Sequence, residues 1–208
     1  GTPVEDALKQ ALGTEEVERI AGSNRYATAD AVAARVISLA GGSFDGTAFV
    51  ATGANFPDAL AAAPLAAAKA WPLFLADPVT GLSANTKAAM AGVGEVLILG
   101  GTGVVSEATE AGLTATYGSG AVERLAGDDR YATAATVAAY GVDTVGLAWD
   151  GVAIATGANF PDALAGGVLQ GSSGSVMLLT ESHTLSAATR GALADNKAVI
   201  DEVRIFGG

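Results

Sequence analysis

The chain has 208 residues, half of them hydrophobic and 16% charged, with a net charge of −11 and no cysteine. The apolar fraction excludes a disordered chain, and the negative charge argues against nonspecific nucleic-acid binding and against docking on anionic lipid by charge alone. The missing thiols remove disulfides and thiolate metal sites, and no apolar run reaches the roughly 18–20 residues of a membrane span.

Taken from its beginning, the chain opens with Thr2-Pro3 ahead of Val4, Glu5, Asp6, Ala7 and Leu8. A cap, a proline in the first turn and early acidic residues predict a helix, ending near Gly13. The opening residues do not form a charged-then-apolar signal segment. Val17 to Ala21 is expected as a strand, and Ser23 or Asn24 as the cap of a helix from about Arg25 to Leu39. A buried strand follows at Thr47 to Ala51, then a helix opened by Pro57 and running to about Lys69. A third strand at Pro72 to Ala76, a helix capped by Ser83 and a fourth strand at Glu95 to Leu99 complete the first half. The second half predicts a helix from Ser106 to about Tyr117, a strand at 122–126 and a helix from Arg130. Strands at 151–155, 175–180 and 202–206 follow. Strands alternating with helices predict an α/β fold with mainly parallel sheets and helices on both faces.

The two halves are copies. Ala51-Thr52-Gly53-Ala54-Asn55-Phe56-Pro57-Asp58-Ala59-Leu60-Ala61 recurs at Ala155 to Ala165 with every residue identical. Arg19-Ile20-Ala21-Gly22 followed by Arg25-Tyr26-Ala27-Thr28 returns as Arg124-Leu125-Ala126-Gly127 followed by Arg130-Tyr131-Ala132-Thr133. A period of about a hundred residues is domain-sized, so the chain divides into modules at 1–105 and 106–208. Helix one lacks a Gly-Gly-Thr-Gly turn before it, and the last Gly-Gly lacks the helix after it. Both ends therefore read as cut from a longer array.

In parallel sheets the strand-to-helix turns lie on the carboxyl edge, where such sheets bind ligands. The repeated polar residues fall in those turns: Arg25, Tyr26, Asn55 and Asp58 in one copy, Arg130, Tyr131, Asn159 and Asp162 in the other. A cation in the first turn of a helix opposes the dipole, so each arginine needs compensation. A bidentate pair with the aspartate of its own copy would supply it. Bracing of loops and direct ligand contact are both compatible with this set. Gly101-x-Gly103-x-x-Ser106 is only a partial dinucleotide fingerprint, and a tight turn explains it. His183 stands alone in a loop, and nothing supports a metal site, a cofactor or an activated nucleophile.

Together, Glu18-Arg19-Ile20-Ala21-Gly22-x-x-Arg25-Tyr26-x-Thr28-Ala29, the Asn55-Phe56-Pro57-Asp58 block, Pro72-Leu73-Phe74-Leu75 and Leu97-Ile98-Leu99-Gly100-Gly101-Thr102-Gly103-Val104-Val105-Ser106 resemble the second type of cell-wall-binding repeat. The resemblance covers nearly the whole chain. It implies Toprim-like α/β modules, usually three packed as a trimer, on secreted surface proteins of Gram-positive bacteria. It also implies noncatalytic attachment to an anionic wall polysaccharide. This chain departs from the pattern in having two copies and few lysines. A second reading is a self-assembly module that packs with further copies of the repeat. A third, an enzyme of nucleotide or phosphate chemistry, has only the fold class behind it.

Overall fold

A computed structural model describes residues 2–208 and shows two parallel sheets with helices between and around them. Helix α1 (Pro3–Leu12) is capped by Thr2 and ends on the left-handed Gly13. Helix α2 (Arg25–Ala40) is capped by Asn24, which accepts from the Ala27 amide at 2.9 Å. Strand β1 (Thr47–Thr52) leads into α3 (Pro57–Ala61) and α4 (Ala63–Lys69), then come β2 (Leu73–Ala76), α5 (Ala84–Ala89) and β3 (Glu95–Leu99). Helix α6 (Glu107–Tyr117), β4 (Val122–Leu125), α7 (Arg130–Tyr140), β5 (Ala148–Thr156), α8 (Pro161–Ser172), β6 (Ser175–Thr180), α9 (Ala187–Asn196) and β7 (Arg204–Phe206) complete the chain.

The expected helix from Pro57 to Lys69 is two helices, because Pro64 brings no amide to the ladder and starts a new helix instead. The second copy has Val168 at the matching place, and α8 runs unbroken.

The sheets do not follow the repeat. The first has the order β2-β1-β3-β4 and the second β6-β5-β7, all parallel. Strand β4 lies in the second copy by sequence, yet it pairs with β3 of the first copy, Val96 beside Val122 and Leu99 beside Leu125. Helix α6 travels with it, burying Leu113 in the cluster on one face of the first sheet. The division at 1–105 and 106–208 thus separates sequence copies, while α6 and β4 belong physically to the first sheet.

The same topology corrects the expected strand at Val17 to Ala21. That segment resembles β4 in sequence, but among the described residues it pairs with no strand and lies outside both sheets.

One core joins the copies. Leu97, Leu99 and Leu125 from the first sheet share a cluster with Val137, Val152, Met177 and Leu179. Helices α4 and α8 cross at close range, Gly167 lying against Ala63 and Gly171 against the Pro64 carbonyl. Phe56 and Phe160, twins by sequence, meet edge to face with centroids 5.6 Å apart, a favoured aromatic geometry. Among the described residues no helix is long and apolar enough to cross a membrane.

Candidate functional site at the junction of the repeats

Arg124 fastens β4 to the first sheet. Its guanidinium donates to the Gly100 carbonyl at 2.6 Å, to the Val105 carbonyl at 3.0 Å and to Glu110 at 2.8 Å. This docking carries the turn after β4, Gly127-Asp128-Asp129-Arg130, to the carboxyl edge of the first sheet. There it faces the Asn55–Asp58 turn after β1 and the Gly101–Val104 turn after β3. A cleft of about 280 Å³ opens among them, lined by Asn55, Asp58, Gly103, Asp128, Arg130 and Thr133, with neighbouring turn residues.

Asp58 sits half-buried at the centre. Burial pushes its carboxyl above the ordinary carboxylate range, opposed by the Arg130 guanidinium and the Thr133 hydroxyl. Its carboxylate lies over Gly100, whose φ of 93° and lack of a Cβ make room for it. Asp129 caps α7, accepting from the Tyr131 and Ala132 amides at 2.9 and 2.8 Å. Thr133 Oγ1 accepts from the Gly127 amide at 3.1 Å, closing the turn.

The arginine–aspartate pairing expected within each copy is replaced by other contacts. Neither Arg25 nor Arg130 forms an ion pair with the aspartate of its own copy among the described residues. Arg25 donates to the Gly53 carbonyl at 2.6 Å and Arg130 to the Gly157 carbonyl at 2.8 Å. These carbonyls, at the ends of β1 and β5, offset the adverse position at a helix start. The physical reason is strand exchange: it places Arg130 beside Asp58 of the other copy. Tyr26 and Tyr131 pack their rings against Gly53 and Gly157, and the Tyr26 hydroxyl donates to Asp77 at 3.3 Å. They are internal packing groups more than open stacking faces.

Asn55 is exposed at the cleft rim, its Oδ1 accepting from the Phe56 amide at 2.9 Å. The structure therefore brings Asn55, Asp58 and Arg130 together. Arg25 and Tyr26 lie at one end of the molecule's repeat pattern, and Asn159 and Asp162 belong to the other. Asp162 lies against Gly207 as Asp58 lies against Gly100. Sequence reasoning missed Asp128, Thr133 and Arg124; the signal for the last two was their recurrence in the same motif as Arg130.

These features define a duplicated α/β binding module whose polar cleft is built by both copies. The chain belongs to the cell wall binding domain 2 family, whose sequence profile matches residues 19–110 and 124–208. It is 30% identical over 175 residues to the N-acetylmuramoyl-L-alanine amidase LytC of Bacillus subtilis (strain 168), covering 84% of this chain and 32% of the amidase. It is 30% identical over 179 residues to the amidase enhancer of the same strain, covering 86% of this chain and 23% of that protein. The chain thus spans about a third or less of the length of these relatives. Among solved structures it resembles Cwp8 from Clostridium difficile, with a TM-score of 0.81 and 26% identity over 98% of this chain and 33% of that one. Cwp6 from the same organism shares the fold, with a TM-score of 0.80 and 20% identity over 98% of this chain and 31% of that one.

Proposed function

We propose that this chain attaches a protein, outside the cell, to a Gram-positive wall by holding a wall polysaccharide in the junction cleft, without catalysing a reaction. The observation that carries the reading is the cleft itself. Asn55 and Asp58 of the first copy meet Arg130 of the second there, in a family defined by wall binding. The activities named for the amidase and its enhancer belong to longer proteins, and this chain's part is the attachment.

The lining favours one region of such a polymer. Asp58, Asp128 and Asp129 present carboxylates, and Arg130 is the only cation among the lining residues. Carboxylates accept hydrogen bonds from sugar hydroxyls but repel anionic groups. An anionic polymer, as the resemblance implies, would seat its hydroxyl face against the aspartates and direct a charged group to Arg130 or to solvent. Binding of that kind falls only modestly with salt, unlike capture by a basic field.

Sedimentation with purified walls tests this. Asp128→Ala, at an exposed position, is expected to weaken pelleting about tenfold, the worth of one charge-assisted hydrogen bond, with the melting temperature unchanged. Arg130→Ala should weaken it at least as much. Wild-type pelleting by Asp128→Ala, with Arg130→Ala losing only what its melting temperature loses, would remove the cleft from the binding site.

A further inference from the structure

The turn after β3 and the start of α6 contribute to two hollows. Gly101 and Gly103 line the junction cleft, while Ser106 and Thr109 line a groove of about 180 Å³ between α5 and α6. The floor of this groove is apolar, with Leu82, Met90 and Leu113 all buried there. The turn after β2 forms one wall, so the groove opens at the same carboxyl edge as the cleft.

That wall is fixed by its own bonds. Asp77 Oδ1 accepts from the Val79 and Thr80 amides, both at 2.9 Å, and Asp77 and Gly81 exchange backbone hydrogen bonds of 3.0 and 2.8 Å. Gly81, at a φ of 72°, brings the turn down on α6: a Cβ there would stand 2.7 Å from Thr109 Oγ1. The groove is thus formed in the free protein, as ligand sites mostly are. Val79, at the tip of the turn, lines it and is still 88% exposed, an apolar surface that an occupant would cover.

Charge separates the groove from the cleft. The chain has 22 acidic residues, yet none lines the groove, whereas three aspartates line the cleft. Lys87 lines the groove, is exposed and forms no ion pair among the described residues. A cation in a hollow without carboxylates calls for an anion from outside. Thr116 donates to the Gly112 carbonyl at 2.9 Å, so its oxygen is left to accept. The volume lies below the roughly 300–1,000 Å³ of drug-sized sites, which limits the occupant to one ring or one substituent.

We propose that this groove is a second sugar subsite, taking a monosaccharide unit with a carbon that bears both a methyl group and a carboxylate. An ether-linked lactyl group and a ketal-linked pyruvyl group share that chemistry. The carboxylate meets Lys87, the methyl lies on Leu82, Met90 and Leu113, and a ring hydroxyl donates to Thr116. Hydroxyl-rich units at the aspartates and an acidic unit at Lys87 would let a chain with few lysines hold an anionic polymer. That the sugar belongs to a wall polymer rests on the reading above; the match of groove to acidic sugar does not.

Amide NMR titration of the whole chain tests this with three probes. These are N-acetylmuramic acid, which carries the lactyl group, the methyl glycoside of a pyruvylated hexose, and N-acetylglucosamine, which lacks the acid. At least one acid is expected to shift the amides of Thr80, Gly81, Thr109 and Leu113 with an affinity on the order of 1 mM, and the acid that does so identifies the source. N-acetylglucosamine should bind about tenfold more weakly or not at all. Lys87→Gln should weaken the acid about fivefold. Gly112→Leu, placed in the open space beside Gly112, should fill the groove and abolish the shifts, and both variants should keep the wild-type unfolding midpoint. No groove shifts with either acid, equal binding of N-acetylglucosamine, or undiminished binding by Gly112→Leu overturns the proposal. The groove is read at its own amides and the cleft by wall pelleting of Asp128→Ala, so each reading can fail alone.

Discussion

Arg19 and Arg124 are the same residue of the same motif, and the topology gives them unequal work. Replacing Arg124 by alanine removes a side chain only 15% exposed and leaves the Gly100 and Val105 carbonyls and the Glu110 carboxylate without their donor. Hydrogen bonds from a charged donor are worth about 1.5–3 kcal/mol each, and bonds sharing one guanidinium do not add. The pair is only partly buried, so the expected loss is about 2–4 kcal/mol, little more than one such bond. For a chain of this size it lowers the melting temperature by on the order of 10 °C. Arg19 is 45% exposed and holds α1 to a segment outside any sheet. In dilute protein, Arg19→Ala should leave the midpoint close to wild type, since exposed ion pairs contribute little. Urea unfolding of both variants decides the matter. Equal losses, or a loss below about 1 kcal/mol for Arg124→Ala, would refute strand exchange as the clamp between the copies.

Two glycine-to-alanine changes in helices should have opposite signs. Gly171→Ala would drive a methyl into the Pro64 carbonyl where α8 crosses α4. Overpacking of about 1–3 kcal/mol should outweigh the gain in helix propensity of about 1 kcal/mol. Gly191→Ala in α9 meets nothing within 4 Å, so chemical denaturation should show a gain of about 0.5–1 kcal/mol. Asp30 offers a pH test: Thr86 donates to its Oδ2 at 3.1 Å, while its buried Oδ1 has no partner. Burial raises this carboxyl above its ordinary value, so protonation favours the fold. That contribution is full below the ordinary carboxylate pKa and is lost as pH rises through the raised one. Asp30→Asn should accordingly be more stable than wild type at neutral pH, with the advantage vanishing in acid. Melting curves showing no gain at neutral pH would count against it.

The residues that make each turn and each buried strand announced themselves along the chain, because caps, prolines and short runs of Val, Ile and Leu act locally. Thr47–Thr52, Glu95–Leu99 and the caps Ser83 and Ser106 are of this kind. The failures lie where a partner decides. Val17–Ile20 and Val122–Leu125 have nearly the same residues, yet only the second is a strand, since pairing is a property of two segments. The same holds for the arginine–aspartate pairs, which the sequence places within each copy. Identical copies give no sequence signal for which copy's aspartate an arginine meets. The carboxyl-edge rule put the polar turn residues of one copy together, whereas the cleft joins Asn55 and Asp58 of the first copy to Arg130 of the second, which no pattern within a copy could indicate.

The half-step offset between genetic unit and folded unit also governs how copy number can change. Inserting one more whole repeat supplies a donor strand and an acceptor edge together, so every internal joint is satisfied. Trimming at a repeat's apparent border, by contrast, would strip a strand and helix from the neighbour. Arrays of this kind can lengthen or shorten by unequal crossing-over without inventing a new contact.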